Sequence, residues 1–208
     1  GRRGRAWQAA LGGGLTFSVL WRFEQGISQL SGLSLVAGIA VAKALNQLSP
    51  VPVRLKWPND VLAGYRKLAG ILVEAQGELA GSSLAVIGIG INERLPAGQR
   101  QEIDQAIVDF AELGIKFDRT QLTFSILREL SILMEVFERQ GLAAALSDWP
   151  AWHAHEGREV VVRTPDGGRY TGKAAGLDAS GGLLLQLPGG ELRQFSVGEV
   201  SLRPRQES

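Results

Sequence analysis

The sequence has no cysteine, almost no net charge and no long apolar run. Without cysteine in 208 residues, disulfide bonds, thiolate metal sites and a cysteine nucleophile are excluded, and a reducing compartment fits. A formal net charge of +1 argues against a generally basic surface for nucleic acid, although it allows local patches. The most apolar stretch, Leu33 to Ala42, is far shorter than the ~20 residues of a membrane-spanning helix.

Residues 53–75 predict a β-hairpin. Apolar and basic residues alternate from Val53 to Trp57, which is the period of a half-buried strand. We expect regular pairing to break at Pro58, which lacks an N–H donor, and irregular backbone to follow. Ala63-Gly64 is a plausible turn, and Leu68 to Ala75 predicts the returning apolar strand.

This hairpin brings two lysines and a carboxylate, Lys56, Asp60 and Lys67, within twelve residues of one another. A lysine that projects from a strand into a partly dry site offers a point charge for phosphate or carboxylate oxygens. The alternative is a surface hairpin whose charges are solvated. The residues alone do not decide between these two interpretations.

The strings Lys-Trp-Pro-Asn-Asp (56–60) and Arg-Lys-Leu-Ala-Gly-Ile-Leu-Val-Glu (66–74) resemble the signature of biotin–protein ligases, in particular the bacterial biotin–[acetyl-CoA-carboxylase] ligases. The resemblance implies an AMP-forming reaction. Biotin and ATP, with Mg²⁺, form biotinyl-5′-AMP, and a lysine of a biotin carboxyl carrier protein then takes the biotinyl group. Lys67 matches the catalytic lysine. Asp60 matches a carboxylate that positions Lys67, the incoming lysine or a metal, and Lys56 would handle phosphate charge.

The chain begins with Gly-Arg-Arg-Gly-Arg-Ala-Trp, whose glycines free the backbone and whose arginines offer forked donors to an anion. By itself this segment is typical of a solvated or nucleic-acid-seeking tail. Beside the hairpin it resembles the second part of the family's Gly-Arg-Gly-Arg-Arg-Gly-Arg loop, which implies that it folds over biotin and the adenylate. The implied ligand-binding residues are Gly1, Arg2, Arg3, Arg5 and Trp7, the last against adenine.

Because the start of that loop motif is missing, we expect an N-terminally truncated fragment that ligates biotin poorly by itself. The strands expected upstream would complete the sheet and one wall of the biotin pocket. Their absence would leave an unpaired edge and uncovered apolar surface.

A glycine-rich strand from Leu84 to Asn92 offers a second candidate surface. Gly88, Gly90 and Asn92 share one face, and isoleucines share the other. Alternate glycines imply that a neighbouring helix or a flat ligand approaches this face closely. The ligase family carries a similar Gly-x-Gly-Ile-Asn strand, and this resemblance implies a ligand. Asn92 would then meet the nucleotide, and Gly70 would leave room beside it.

Apolar residues at helical spacing predict the helices that pack on this sheet. A core helix is expected from Leu33 to Leu48 and a second from Ile103 to Ala111, stopped by Gly114. A third is expected to begin at an Asp118 cap and to end at Gly141. A short last helix is expected from Leu142 to Trp149, before Pro150.

From Gly157, short strand-like runs separated by glycine-rich turns predict a small SH3-like β-barrel. The predicted fold is therefore α+β, a mixed β-sheet with packed helices over residues 1–152, followed by an SH3-like domain over residues 153–208. His153 and His155 fall at the junction, and we interpret them as incidental linker residues. The four runs are Glu159 to Arg163, Arg169 to Ala175, Leu183 to Leu187 and Glu191 to Val197.

Several functions stay open at this point. Lipoate ligases share the implied fold and adenylation chemistry, although the Lys-Trp-Pro-Asn-Asp block favours biotin. Octanoyl transfer through a cysteine thioester is excluded because there is no cysteine. A nucleic-acid or interaction module built from the arginine arm and the barrel would show a steep salt dependence of binding. We expect a cytoplasmic enzyme without a protein-bound metal or a DNA-binding segment, and leave a homodimer open.

Overall fold

The computed structural model describes residues 13–79, 81–96, 105–196 and 201–204. Five strands form the first sheet, in the spatial order β1-β5-β4-β3-β2. Every pairing between these strands is antiparallel, and two isolated parallel bridges, Leu55 to His153 and Lys67 to Ile107, make the sheet mixed. The strands are β1 (Gly14–Phe23), β2 (Val53–Lys56), β3 (Asp60–Ala63), β4 (Arg66–Gly77) and β5 (Ser83–Asn92).

Two long helices cover one face of this sheet. Helix α1 (Leu33–Asn46) packs on β2, β3 and β4, and helix α2 (Arg119–Ala145) packs on α1. Most residues of α1 are buried because small and apolar side chains occupy all of its faces. At Gly38 an added Cβ would lie only 3.3 Å from Leu55, so this glycine lets the helix approach the sheet closely. The predicted core helix is confirmed. The composition and partial alternation of Leu15 to Phe23 also predict a strand, which is confirmed as β1.

The expected hairpin is instead a meander of three strands. Residues 60–63, expected to be irregular, form β3, which pairs with both β2 and β4. All four residues of β3 are buried, so the segment lacks the alternation that marks a half-buried strand. A turn is present as predicted, but it lies one residue later than Ala63-Gly64, because Ala63 is the last residue of β3. Gly64 (φ 55°) and Tyr65 (φ 61°) join β3 to β4, and positive φ at both positions suits the twist of a two-residue hairpin loop.

The expected helix from Ile103 to Ala111 is wrong. Residues 103 and 104 lie outside the described residues, and residues 105–114 form extended backbone and turns. The segment runs beside Lys67, whose N–H donates to the Ala106 carbonyl and whose carbonyl accepts from the Val108 N–H, both at 2.9 Å. Three consecutive residues, 108–110, are buried, which a helix with one apolar face does not achieve.

Helix α2 begins where the sequence predicts, because the Asp118 carboxylate accepts a hydrogen bond from the Gln121 N–H at 2.8 Å. Gly141 (φ 79°, ψ −178°) interrupts the helix as predicted, although one further helical turn follows. The expected helix from Leu142 to Trp149 is wrong in extent. Pro150 lies in the first turn of a separate short helix, α3 (Trp149–Trp152), where proline is tolerated.

The second sheet is antiparallel throughout, in the order β10-β6-β7-β8-β9. It confirms the SH3-like β-domain, and β10 is an additional strand that the sequence patterns did not identify. The boundary between residues 152 and 153 stays a prediction. In the described part of the chain, no helix is long and apolar enough to cross a membrane. The strands are β6 (Glu159–Arg163), β7 (Arg169–Leu177), β8 (Leu183–Gln186), β9 (Leu192–Phe195) and β10 (Ser201–Pro204).

Candidate active site

Asp60 lies between two lysines at the end of the β2–β3 turn. Lys67 Nζ is 2.6 Å from Asp60 Oδ1, and Lys56 Nζ is 3.1 Å from Asp60 Oδ2. The side chains are 10% exposed for Asp60 and 17% exposed for each lysine. Two positive charges and one negative charge give this cluster a net charge of +1 in a largely water-excluded position. The cluster is therefore suited to an anionic ligand.

The two lysines also determine the charge of the Asp60 carboxyl. Burial raises the pKa of Asp60, but the charges of Lys67 and Lys56 and their hydrogen bonds outweigh burial, so its pKa lies below the ordinary value. Asp60 is therefore ionised at neutral pH and holds one ammonium on each of its oxygens. In the described ranges, no three His, Cys, Asp or Glu side chains are grouped so that they could hold a metal ion.

A β-bulge directs Lys67 towards Asp60. Val61 pairs with Ala69, but the next residue, Leu62, pairs with Lys67, so Leu68 is the extra residue of β4. Strict alternation would place Lys67 on the same face as Ile71, which belongs to the core. The bulge reverses this orientation and places Leu68 in the core instead, where it is fully buried.

A row of directly paired residues continues from this cluster across all five strands. Lys56 pairs with Asp60, Asp60 with Gly70, Gly70 with Gly90, and Gly90 with Thr16. Directly paired residues lie on the same face of a sheet, so these residues share the face opposite α1. The middle of the row consists of Gly70 and Gly90, which have no side chains. These residues form a flat surface beside Lys56 and Lys67, which we call the glycine floor.

Gly88 lies in the next row of the same face, between Leu72 and Ser18. A Cβ added at Gly88 would lie 3.5 Å from the Leu72 carbonyl oxygen and 3.7 Å from Ser18 Oγ, which are ordinary contacts. The nearest atoms thus belong to neighbouring strands and not to a packed helix. At Gly88 this favours a ligand over a helix among the described residues, whereas Gly70 and Gly90 are buried. The ligand assignment of Gly70, Gly88 and Gly90 stays a prediction.

We predict that Gly88→Val folds but binds ligand poorly. The fold has room for the first atom of the side chain, and a β-branched residue suits a strand. A side chain on the floor would occupy space that a flat ligand needs. We expect the thermal midpoint to fall by only a few degrees and the dissociation constant for biotin, measured by calorimetry, to rise at least ~10-fold.

The control for this substitution is Gly64→Asn, which changes a glycine in an open turn away from the floor. It should bind biotin as the parent does. If Gly88→Val bound biotin with unchanged affinity, the glycine floor would not be the ligand site.

Asn92 supports the cluster from the end of β5. Its Nδ2 group donates to the Lys67 carbonyl and to the Val108 carbonyl, both at 3.1 Å. Asn92 thus joins β4 to the segment that covers this end of the sheet. The amide nitrogen of Asn92 is thus already hydrogen-bonded within the protein. The expected contact of Asn92 with the nucleotide stays a prediction. Gly1, Arg2, Arg3, Arg5 and Trp7 lie outside the described residues.

Two residues of the turn between Lys56 and Asp60 were quoted in the sequence motif but not assigned to the site. Asn59 Nδ2 donates to the Ile71 carbonyl at 2.7 Å, and the Ile71 N–H donates back to the Asn59 carbonyl at 3.0 Å. Trp57 is fully buried beneath the turn. The sequence feature that could have identified Trp57 and Asn59 is their position between Lys56 and Asp60, whose side chains form an ion pair.

His153 and His155 are not incidental linker residues. Both are 2% exposed, and they pack where α3 joins the second sheet. His153 stacks on Trp149 and lies 3.1 Å from a Glu156 carboxylate oxygen through Nδ1. His155 packs edge-on against Tyr65 and, within the described residues, neither of its ring nitrogens has a hydrogen-bond partner. These contacts give both histidines a packing role between the two sheets.

Burial, together with the charges of His153, Lys56 and Arg158, lowers the pKa of His155 to about 4. Between pH 6.5 and 4, His155 is protonated in the unfolded chain but not in the folded protein. The free energy of unfolding therefore falls as the pH falls. We predict that the free energy of unfolding of the parent, measured in urea, falls between pH 7 and pH 5. In His155→Phe, which has no imidazole to protonate, this fall should be smaller by about 2 kcal/mol. Equal losses in both proteins would mean that folded His155 accepts the proton.

Two family profiles match this chain. The biotin/lipoate A/B protein ligase family matches residues 1–92, and the biotin protein ligase C terminal domain matches residues 155–203. The first match contains the charged cluster and the glycine floor, and the second contains most of the C-terminal sheet.

Individual relatives agree with these matches. The bifunctional ligase/repressor BirA of Escherichia coli K12 is 40% identical over 203 residues, which are 98% of this chain and 63% of that protein. The chain thus spans less than two thirds of that relative's length. The biotin–[acetyl-CoA-carboxylase] ligase of Mycobacterium tuberculosis is 34% identical, over 96% of this chain and 73% of that protein. Biotin protein ligase from Aquifex aeolicus, solved in complex with biotin and ATP, superimposes with a TM-score of 0.80 at 31% identity, over 99% of this chain and 84% of that chain.

Proposed function

The chain belongs to the biotin protein ligase family, and we propose that it attaches biotin to one lysine of a biotin carboxyl carrier protein through biotinyl-5′-AMP. The observation that carries the proposal is the cluster in which Asp60 holds Lys56 and Lys67 at the edge of a floor without side chains. A flat ligand on that floor would place its carboxylate beside the two ammonium groups. The same groups would meet the phosphate of ATP.

In the first step, the biotin carboxylate attacks the α-phosphorus of ATP. A new phosphorus–oxygen bond forms, the bond to the β-phosphate breaks, and pyrophosphate leaves. Negative charge accumulates on the oxygens around phosphorus during this step, and fixed cations in a water-poor site lower the barrier. We assign Lys67 to the carboxylate and α-phosphate oxygens and Lys56 to phosphate charge.

In the second step, the neutral ε-amine of the carrier lysine attacks the acyl carbon of biotinyl-AMP. A carbon–nitrogen bond forms, the bond to AMP breaks, and the nitrogen gives up a proton to the solvent. The lowered pKa of Asp60 makes it a weak base. Of the three roles that the sequence left open, we therefore assign Asp60 the positioning of Lys67, to which it lies 2.6 Å away.

Mg²⁺ enters this scheme with ATP, as part of the substrate. Both oxygens of Asp60 already hold a lysine, and the described residues contain no group of three His, Cys, Asp or Glu side chains that could hold a metal ion. This donor set does not fit a resident Mg²⁺ ion, so no step is assigned to one.

The proposal includes a cytoplasmic location, where ATP and the carrier meet the enzyme. A homodimer belongs to the same proposal, and sedimentation of the protein with and without biotinyl-AMP tests it. DNA binding, which the name of the Escherichia coli relative includes as repressor, is not assigned to this chain. The alternative of a lipoate ligase is not favoured, because the individual relatives reported above are all ligases of biotin or carry the BirA name.

Mass spectrometry tests the proposal directly. The protein, purified as its own gene encodes it, is incubated with Mg-ATP and either biotin or lipoate, and the bound small molecules are identified. We expect biotinyl-AMP with biotin and no adenylate with lipoate. The reverse result would make the chain a lipoate ligase, and no adenylate with either acid would reject the adenylation chemistry.

A further inference from the structure

The turn at residues 57–59 separates Lys56 from Asp60 in the chain and brings them together in space. On one side it is fixed to β4, because Asn59 exchanges two hydrogen bonds with the backbone of Ile71. Ser34 of α1 holds the turn from below through a 3.3 Å bond to the Pro58 carbonyl. Any shift of this turn would move the ends of β2 and β3, and with them both charged groups.

The C-terminal domain holds the same turn from a third side. The indole N–H of fully buried Trp57 donates to the Gly181 carbonyl at 2.9 Å. Gly181 lies in the turn between β7 and β8, 124 positions further along the chain. A buried hydrogen bond of this kind fixes the indole in one orientation, because either group would be costly to leave unpaired.

The β7–β8 turn is itself rigidly built. The Asp178 carboxylate accepts hydrogen bonds from the Ser180 N–H at 2.6 Å, the Ser180 hydroxyl at 2.7 Å and the Gly182 N–H at 3.0 Å. Its second oxygen accepts from the Gln194 amide. Gly181 has a φ of 81°, which a residue with a side chain rarely adopts. The carbonyl that receives the Trp57 indole is therefore held in a fixed direction.

This turn is also in close contact with the first domain. A Cβ at Gly181 would lie 3.1 Å from Leu35 Cδ1 and 3.2 Å from the Gly32 Cα. The Ser31 hydroxyl donates to the Ser180 carbonyl at 2.7 Å, just ahead of α1. The close fit leaves no room for the turn to slide without moving Trp57.

We propose that the β7–β8 turn of the C-terminal domain is a positioning element for adenylation, which acts through Trp57 to fix Lys56 and Asp60. Trp57, Asp178 and Gly181 are then positioning residues that touch no substrate. This inference rests on the proposed function, and it explains how the second domain contributes to the chemistry.

The inference predicts an effect on rate rather than on biotin binding. Displacement of a reacting group by about 1 Å can cost ~10²-fold in rate. The glycine floor belongs to β4 and β5, which the β7–β8 turn does not hold. A loosened Trp57 should thus lower kcat for adenylate formation and leave KM for biotin unchanged.

The test replaces Trp57 by Phe, which keeps an aromatic ring and removes the N–H donor. We expect kcat for pyrophosphate exchange to fall about 10-fold, with KM for biotin within twofold of the parent. The matched control is Ser31→Ala, which removes a solvent-exposed hydrogen bond to Ser180 but leaves the Asp178 bonds that fix the Gly181 carbonyl and the Trp57–Gly181 bond itself. It should leave both constants unchanged.

Asp178→Asn is the second variant, because it weakens the β7–β8 turn without altering the core. It should lower kcat in the same direction, and it decides the matter if Trp57→Phe does not fold. Unchanged kcat in Asp178→Asn, or equal losses in Trp57→Phe and Ser31→Ala, would overturn the inference. If the parent protein forms no biotinyl-AMP, the proposed function fails instead, so the two failures are distinguishable.

Discussion

Replacing Lys67 by Ala should lower the rate of biotinyl-AMP formation at least ~10²-fold and leave the protein folded. The Lys67 ammonium is 17% exposed and 2.6 Å from Asp60, so its position is fixed before the substrate arrives. A fixed cation stabilises the charge that develops on phosphorus oxygens without reorganising at the moment of reaction. Pyrophosphate exchange in the presence of biotin measures this step alone, without the carrier protein.

The matched control is Arg66→Ala, the neighbouring residue on β4. Arg66 is more exposed, at 39%, and pairs with Glu112 at the surface, where an ion pair contributes at most about 1 kcal/mol. Its removal should leave pyrophosphate exchange within a few-fold of the parent. If Lys67→Ala exchanged pyrophosphate as fast as Arg66→Ala, Lys67 would not be the catalytic lysine.

Long periodic segments account for the part of the fold that was predictable from the sequence. α1, β1 and β5 each extend over at least ten residues with a clear apolar pattern. β3 was missed because it has four residues and all are buried, so it has no alternation. The helix expected before Gly114 failed for a different reason. This segment is extended and packs against the end of the sheet. Three consecutive residues, 108–110, are buried there, whereas a helix with one apolar face would expose one of them.

The charged cluster was predictable as a group of neighbouring residues but not as a geometry, and its role as a ligand site stays a prediction. The spacing of Lys56, Asp60 and Lys67 indicated that they lie close together, and the resemblance to the ligases supplied their roles. The bulge at Leu68, which turns Lys67 away from the core, has no signature in the residue pattern. The bond from Trp57 to Gly181 joins positions 124 apart, so only the packing of the two domains could reveal it.

The burial of His153 and His155 was also not predictable from the residue pattern. Two histidines near a domain junction are typical of exposed linker positions, and nothing in their spacing predicts burial. The structure buries them because the backbone at residues 153–154 runs beside β2, where the Ala154 N–H donates to the Leu55 carbonyl at 2.8 Å. This placement follows from how the chain returns to the first sheet after α2, which is a property of the topology.

Asp60→Asn should lower adenylate formation by about 10²-fold and also destabilise the fold. The amide keeps the shape of the side chain but leaves Lys56 and Lys67 without their counter-charge. Loss of the negative charge allows both ammonium groups to move, and a displacement of about 1 Å is enough for a loss of this size. Breaking a buried ion pair typically costs about 3–5 kcal/mol, and the partial exposure of the lysines places the expected cost towards the lower end.

The pH dependence of that stability difference tests the charge state of Asp60. Its pKa is lowered in the folded protein, so the stability that it contributes is present above its unfolded pKa, near 3.8, and is lost as pH falls through the lowered folded value. Urea unfolding should therefore give the same difference between parent and Asp60→Asn at every pH from 8 to 5. If burial dominated over the two lysines, the pKa would be raised, the folded protein would take up a proton before the unfolded chain does, and the difference would grow as the pH falls from 7 to 5. That result would contradict the assignment of Asp60 as a permanently charged anchor for Lys67.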